Sequence, residues 1–231
     1  NKSLTQAGFK IEENSKLESV GDSAFYWAGF TSFTFPEGVK SIGKNVFDRC
    51  TALKTVNIPA SVENISDGIF MGEIAPNGIT TINVDEDNPY YSAENGVLFN
   101  KDKTKLIAYA SGLTDETYQI PSTVTEIADY AFYQTKVTNV ILSDSVVSIG
   151  DEAFRRCSNL KTVENFESVE SIGEYSFANC TKLTSDFEMN SISRIGMGAF
   201  SSCSNLGTVR IAPTITMIGN SAFESCDNDI Y

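Results

Sequence analysis

Cysteines are the residues in this sequence with the most specific potential chemistry, because a thiolate can act as a nucleophile, a metal ligand or half of a disulfide. The chain contains five of them, each three residues after a phenylalanine: Cys50, Cys157, Cys180, Cys203 and Cys226. Zinc sites favour paired spacings such as CxxC, which do not occur here. Disulfides require Cβ atoms that face each other, whereas equivalent thiols in a repeat point the same way. We therefore predict free, buried packing thiols, with a disulfide chain or a metal column as the alternative.

Other catalytic groups are scarce. The chain contains no histidine, which excludes Ser-His, Cys-His and His-metal sites. Carboxylate pairs could still act as acid and base, but the acidic residues lie mostly at turns and variable positions, and no two must converge on a pocket. We therefore predict no enzyme activity, no catalytic or metal-binding residues and no cofactor. A glycan-active hydrolase is the least favoured alternative.

The acidic segment DEDNP, from Asp85 to Pro89, is the one place where clustered carboxylates suggest calcium. It lacks the DxDxDG spacing and the distal bidentate glutamate of an EF-hand. We prefer a turn closed by Asn88 before Pro89, and calcium binding remains the alternative.

Charge and hydropathy restrict the partners. Seventeen basic residues against thirty acidic ones give a net charge of −13, which repels nucleic acid and an anionic membrane surface alike. No apolar run reaches the roughly 18 residues of a membrane span. The first residues, NKSLTQAGFK, have neither an initiator methionine nor the apolar core of a secretory signal. We therefore expect a fragment of a longer protein that binds no nucleic acid and does not insert into a membrane.

The elements that position these groups recur with a fixed period. Steps of 22 or 23 residues, and one of 62, separate eight motif phenylalanines: Phe25, Phe47, Phe70, Phe132, Phe154, Phe177, Phe200 and Phe223. A supersecondary unit of this size cannot bury its own apolar face, so it must stack on copies of itself. The period therefore predicts that equivalent residues lie side by side in about nine successive coils.

Two apolar patterns divide each coil. Alternating β-branched residues, such as Val56 and Ile58, predict a strand that ends at a proline such as Pro59. A VxxI pattern follows, then a small residue that is usually glycine, which we attribute to a close neighbouring backbone. An Asx residue comes next in most copies, where it could cap a short helical turn: Asp22, Asp67, Asp129, Asp151 and Asn220. Each coil is thus predicted as strand, turn, short helical turn and return.

The segments LKTVNIPASVENISDGIF, YQIPSTVTEIADYAF and VVSIGDEAFRRC resemble the BspA-like class of leucine-rich repeats. The stretch at 83–112 is similar to that family's irregular repeat, in which a GVLF strand forms a hairpin with LIAY. The resemblance implies one α/β solenoid domain over 1–231, with the hairpin-containing repeat at about 79–121. A parallel sheet would form the concave face, and short strands and helical turns the other side. It also implies a bacterial cell-surface or secreted location, and adhesion to host proteins or other cells.

Two polar columns are predicted on the exposed side of the strands. The first is uniformly small: Ser32, Thr55, Thr81, Thr117, Asn139, Thr162, Ser185 and Thr208. Hydroxyl groups that bond one another across the sheet explain it sufficiently. The second column is varied and is our candidate surface for a protein or glycan partner: Thr34, Asn57, Asn83, Gln119, Ile141, Glu164, Phe187 and Arg210. A structural spacer is the alternative to a binding module. Tyr26, Trp27 and Phe33 could add an aromatic contact, although covering an open solenoid edge is the preferred interpretation.

Two copies depart from the pattern. Asn165, Asp186 and Glu188 stand where apolar strand residues are expected, with Phe166 and Phe187 one place off. We expect a bulge or a one-residue slip there, which would reverse the faces locally.

Overall fold

The computed structural model describes residue 11, residues 15–72 and residues 78–227. The first ten residues, on which the missing secretory signal was judged, lie outside this part of the chain. The chain divides into two compact units, each a stretch of β-solenoid. The amino-terminal unit comprises Asn1–Asp102 and Ile107–Leu113, and the carboxy-terminal unit comprises Lys103–Leu106 and Thr114–Tyr231. The single domain that the sequence indicates stays a prediction.

Eight strands lie in the amino-terminal unit, and a ninth has residues in both units. They are β1 (Ser19–Val20), β2 (Ser32–Thr34), β3 (Ser41–Ile42), β4 (Thr55–Ile58), β5 (Asn64–Ile65), β6 (Thr81–Val84), β7 (Tyr91–Glu94), β8 (Val97–Asn100) and β9 (Lys105–Tyr109). Longer strands form the parallel sheet β2-β4-β6, and two-residue strands form the parallel sheet β1-β3-β5. We call the exposed side of the longer strands the strand face.

The inserted segment forms the hairpin that the sequence predicts, with one strand more. β8 contains the VLF of GVLF and is hydrogen-bonded to β9, which contains LIAY. β7 pairs with β8 in the antiparallel direction through a turn at Asn95 and Gly96, whose φ values are 51° and 78°. Two positive φ angles define the type I′ turn that favours Asn-Gly. The prediction missed β7 although this dipeptide is a strong hairpin signal.

Asn88 anchors the insert to the preceding coil. Its side chain is fully buried. The amide donates to the carbonyls of Pro59 at 2.9 Å and Val62 at 3.0 Å, and its oxygen accepts from the backbone amides of Tyr90 and Tyr91 at 2.8 Å. The predicted turn at Asn88 is confirmed, and the side chain satisfies two carbonyls of another coil as well.

Ten further strands lie in the carboxy-terminal unit. They are β10 (Thr117–Gln119), β11 (Glu126–Ile127), β12 (Asn139–Ile141), β13 (Ser148–Ile149), β14 (Thr162–Glu164), β15 (Ser171–Ile172), β16 (Phe187–Met189), β17 (Arg194–Ile195), β18 (Val209–Ile211) and β19 (Met217–Ile218). The strand face comprises the parallel sets β10-β12-β14 and β16-β18. Two-residue strands pair in the order β11-β13-β15-β17-β19, and Lys105 and Leu106 pair with Glu126 and Ile127 of β11.

The third side of each coil is a ladder of turns, and the helical turns predicted from sequence are wrong. No helix occurs in residues 11, 15–72 and 78–227. Two residues per turn have positive φ, for example Tyr130 at 60° and Gln134 at 57°, and left-handed residues break an α-helix. Successive backbone amides donate alternately to the next coil and within their own turn. The amide of Phe132 donates to the carbonyl of Ala153 in the next coil at 2.7 Å, whereas that of Tyr133 donates to Tyr130 in the same turn at 3.0 Å. The fold is therefore a β-solenoid without α/β character.

The Asx position acts between coils, which corrects its predicted role as a local helix cap. Asp129 Oδ1 accepts from the backbone amide of Asp151 at 2.7 Å, and Asp151 Oδ1 accepts from that of Glu174 at 2.7 Å. The glycine that precedes it is small for the reason predicted. A Cβ on Gly150 would lie 2.6 Å from the nitrogen of Asp129, and Gly150 does not have the positive φ that would require glycine.

The motif phenylalanines form one file inside each unit, as the packing period predicts. In the carboxy-terminal unit the rings from Phe132 to Phe223 stack with centroids 4.7 to 5.3 Å apart and planes within 14°. In the amino-terminal unit Phe25, Phe47 and Phe70 are 5.8 and 6.3 Å apart. Phe33 packs edge-on beside this file, 5.4 Å from Phe47.

Candidate functional site

A recess of about 360 Å³ lies on the strand face of the amino-terminal unit. Thr34 from β2, Asn57 from β4 and Asn83 from β6 occupy neighbouring register positions and all line it. Because side chains alternate along a strand, these three point outward while Phe33, Val56 and Ile82 fill the core. We call this recess the amino-terminal recess.

Hydrogen bonds link the three side chains in one direction. Asn83 Nδ2 donates to Asn57 Oδ1 at 2.8 Å, and Asn57 Nδ2 donates to Thr34 Oγ1 at 2.8 Å. Each amide is held in place by its neighbour, so its remaining hydrogen-bonding groups have a fixed direction. Such pre-organisation reduces the entropy lost on binding a ligand.

Two acidic residues also line this recess, at the ends of the strands. Glu37 follows the strand-exit proline Pro36, and Asp85 follows β6. Asp85 Oδ1 accepts from the backbone amide of Asp87 at 3.0 Å. No lysine or arginine is among the lining residues. Sequence reasoning considered Asp85 only as a calcium ligand and missed Glu37; their position directly after a strand is the signal that could have placed them here.

Four of the remaining predicted surface residues lie on the strand face of the carboxy-terminal unit. Gln119, Ile141 and Glu164 are register neighbours; Gln119 and Glu164 are exposed, and Ile141 is half-buried. Arg210 forms an exposed ion pair with Glu188, with its Nη1 2.6 Å from Oε1. The structure thus brings together three of the predicted residues in one recess and places Gln119, Ile141, Glu164 and Arg210 elsewhere on the strand face.

Phe187 is not part of this surface, which corrects the sequence prediction. Its side chain is fully buried, and its register partner is Val209, while Glu188 lies beside Arg210. One extra residue between Leu183 and β16 shifts the strand by one place. Ser185 turns inward, where its hydroxyl accepts from the amide of Val163 at 2.7 Å. The expected slip is therefore confirmed.

The other irregular copy is also shifted by one residue, at Asn165 directly after β14, which is the slip that the sequence offered as the alternative to a bulge. Asn165 has a φ of 60°, and its amide donates to the carbonyl of Leu142 at 3.1 Å. This left-handed residue turns Phe166 into the core. Together with Glu164, Asp186 and Glu188, these residues line a second recess of about 340 Å³, the carboxy-terminal recess.

The cysteines are free thiols, as predicted, and four of the five are buried. Each donates to the carbonyl of the motif phenylalanine one coil earlier, as Cys157 Sγ does to Phe132 at 2.8 Å and Cys180 Sγ to Phe154 at 3.0 Å. Burial raises the pKa of Cys157 to about 11 and that of Cys203 to about 12. These thiols are protonated at neutral pH and stabilise the stacking of coils.

The remaining sequence candidates have ordinary packing or surface roles. Tyr26 and Trp27 are 48% and 44% exposed, and the Arg49 guanidinium lies 5.8 and 5.7 Å from their ring centroids. Phe33 is buried and packs against Phe25 with ring centroids 4.6 Å apart.

Within the described ranges, no three Cys, Asp or Glu side chains form a cluster that could hold a metal ion. In the same ranges no helix is long and apolar enough to span a membrane.

Comparison with known families gives a match over nearly the whole chain. A model of the BspA type leucine rich repeat region matches in six copies, over residues 18–115 and 108–229. No curated protein has a significantly similar sequence.

Solved bacterial structures share the fold. The pneumococcal vaccine antigen PcpA superposes with a TM-score of 0.72 at 23% identity, over 88% of this chain and 56% of that one. A leucine rich cell surface protein from Faecalibacterium prausnitzii gives 0.71 at 27% identity, over 94% and 69%. A leucine-rich repeat protein from Eubacterium ventriosum gives 0.62 at 28% identity, over 91% and 68%. The chain thus spans little more than half the length of PcpA.

Proposed function

The chain belongs to the BspA-type leucine-rich-repeat family, and from this premise we propose that it is a non-catalytic binding module at a bacterial cell surface. The surface location is supported by the similarity to the Faecalibacterium leucine rich cell surface protein. The extracellular partner would be a protein or a glycan.

The amino-terminal recess is the proposed binding site. The observation that carries this proposal is the ladder from Asn83 through Asn57 to Thr34, which lines a recess of about 360 Å³. Purely structural polar groups on a solvated strand need no recess and no fixed orientation. Small-molecule and side-chain sites are concave and contain a few precisely held polar groups.

Arrays of immobilised glycans and matrix proteins test the proposal. The chain should bind at least one of them saturably, and the double variant Asn57→Ala/Asn83→Ala should weaken that binding at least tenfold. Asn205→Ala is a matched control, because Asn205 is an exposed amide outside this recess and outside the varied column. Equal melting temperatures would establish that both variants are folded.

The alternative is a structural spacer that presents another module. It predicts that no array component binds, or that any binding is unchanged in the double variant. Either result would contradict the proposed site.

A further inference from the structure

We infer that the amino-terminal recess binds a neutral, hydroxyl-rich sugar, such as one or two rings of an uncharged glycan. The inference rests on the proposed function and identifies the class of ligand. It depends on the hydrogen-bonding groups that remain once the internal bonds of the recess are made.

The ladder leaves a row of donors. Thr34 Oγ1 already accepts a hydrogen bond from Asn57, so its own proton is left to donate. Asn57 and Asn83 each use one amide hydrogen in the ladder, and a side-chain amide has two. Three donors therefore follow one another at the spacing of parallel strands, about 4.8 Å.

The acidic residues supply acceptors beside these donors. Glu37 makes no hydrogen bond or ion pair within the described residues, and Asp85 uses one carboxylate oxygen for the Asp87 amide. Ionised carboxylates only accept. Without a cationic side chain in the lining, the recess has a negative charge that disfavours sialic or uronic acids and phosphates.

A sugar matches this arrangement because each hydroxyl both donates and accepts. One hydroxyl can accept from an amide and donate to a carboxylate, and hydroxyls on alternate ring carbons are separated by a distance comparable to the strand spacing. The half-buried side chains of Pro36 and Val84 offer apolar contact to the C–H groups of a ring. The volume lies near the lower end of small-molecule pockets, roughly 300 to 1,000 Å³.

A basic peptide fits less well. Lysine and arginine side chains have no acceptor, so they would satisfy the carboxylates and leave the three donors unmatched. The carbonyls on one side of an extended peptide repeat every two residues, about 6.6 Å, which does not match the ladder. The carboxy-terminal recess shows the contrast: it contains one amide side chain, Asn165, in place of a linked row. Four of its other polar lining residues are carboxylates, Glu164, Glu167, Asp186 and Glu188.

Titration calorimetry with the intact chain tests the inference. The probes are neutral hexose and N-acetylhexosamine oligosaccharides, their sialylated or uronic-acid counterparts, and an oligolysine peptide. At least one neutral oligosaccharide should bind, Thr34→Val should weaken it about threefold to tenfold, and Asn57→Ala/Asn83→Ala more than tenfold. Asn205→Ala should leave it unchanged.

The outcomes separate this inference from the proposed function. Binding that depends on Asn57 and Asn83 but is confined to anionic glycans, peptides or proteins would overturn the sugar assignment and keep the site. Neutral-sugar binding that the double variant does not change would overturn both. No binding of any neutral oligosaccharide at millimolar concentration would overturn the sugar assignment alone, and the protein arrays would then decide the site.

Discussion

The sheets β2-β4-β6 and β10-β12-β14, one in each unit, place their side-chain hydrogen bonds in different columns of the strand face. In the amino-terminal unit the varied column is linked, from Asn83 to Thr34, and the hydroxyls of the uniform column make no bonds to one another within the described residues. In the carboxy-terminal unit the uniform column is linked, since Asn139 bonds Thr117 at 3.3 Å and Thr162 at 3.0 Å. Hydrogen bonds along the varied column fix the donors of a recess, whereas hydrogen bonds along the uniform column stabilise the sheet.

Their interiors differ in a related way. Both units have further rings packed at an angle beside the file, Phe33 and Phe35 in the amino-terminal unit and Phe166 and Phe187 in the carboxy-terminal unit. The file itself is tighter in the carboxy-terminal unit, where Phe177 lies 5.0 and 5.1 Å from its neighbours, than at Phe47, where the distances are 5.8 and 6.3 Å. The tight file persists through the two irregular copies of the carboxy-terminal unit, while the wider file lies in the unit that carries the candidate site.

Removing a ring from the tight file should have the largest effect. Phe177→Ala deletes a fully buried ring stacked between Phe154 and Phe200, and should destabilise the carboxy-terminal unit by about 3 to 5 kcal/mol. Phe47→Ala should cost about 1 kcal/mol less, because the Phe47 ring lies 5.8 and 6.3 Å from its file neighbours and loses less stacking contact. Urea denaturation with hydrogen exchange measures both, and equal losses would contradict the difference in packing.

Removing the anchor of the insert should be next. Asn88→Ala leaves two buried carbonyls and two amides without their partner, and we expect a loss of about 2 to 4 kcal/mol in the amino-terminal unit. Asn205→Ala is the control, since Asn205 is exposed and bonds only Thr181 and Ser204. If Asn88→Ala and Asn205→Ala lose the same amount of amide hydrogen-exchange protection, the hydrogen bonds of Asn88 do not stabilise the insert more than ordinary surface bonds do.

High pH should separate the units through their thiols. The folded-state pKa of a buried thiol such as Cys157 is raised, to about 11, so its contribution to stability is complete below about pH 9 and is lost as pH rises through 11. Three buried thiols lie in the carboxy-terminal unit and one in the amino-terminal unit. Raising the pH from 8 to 11 should therefore lower the free energy of unfolding of the carboxy-terminal unit more, as measured by chemical denaturation. Cys157→Ala should reduce this pH dependence. If the difference in stability between the two units is the same at pH 8 and pH 11, the prediction is contradicted.

The smallest predicted effect is a gain in stability. Ser176 occupies a position filled in the other coils of this unit by Ala131, Ala153, Ala199 and Ala222, and its buried hydroxyl has no hydrogen-bond partner among the residues that the structure describes. Ser176→Ala should therefore stabilise the carboxy-terminal unit by about 1 kcal/mol, measured as a higher urea midpoint. Ala153→Ser is the reverse control and should be destabilising; a neutral result in both would indicate that the hydroxyl is satisfied in solution.

Packing positions could be predicted from the sequence, and the turn conformation could not. The period predicted the positions of the phenylalanines, of the thiols and of the small residue, usually glycine, that lies against the backbone of the neighbouring coil. These positions are predictable because burial restricts which residue types fit there. The helical turns failed because the left-handed positions are occupied by residues such as Trp27, Tyr130 and Glu152, none of which signals a positive φ. Bonds to the next coil, such as that from Phe132 to Ala153, compensate for the strained backbone.

The candidate site was predictable in part for the same reason. Register followed from the period, so Thr34, Asn57 and Asn83 were placed correctly as neighbours. Phe187 was misplaced because one extra residue reverses the faces of a strand, and the sequence alone does not show where that residue is accommodated. Glu37 was missed because it lies beyond the strand, where the period-two pattern has ended.

The alternating bonds of the turn side also bear on how such genes could lengthen or shorten. Contacts such as Phe132 to Ala153 and Gln134 to Arg155 join main chain to main chain, so a coil does not need one particular neighbour. Excising one whole period, 155–177, would join Phe154 to Ala178 and restore the same motif. We expect that shortened chain to melt cooperatively, as unequal recombination between repeats would require; excising 155–170 instead should abolish the transition.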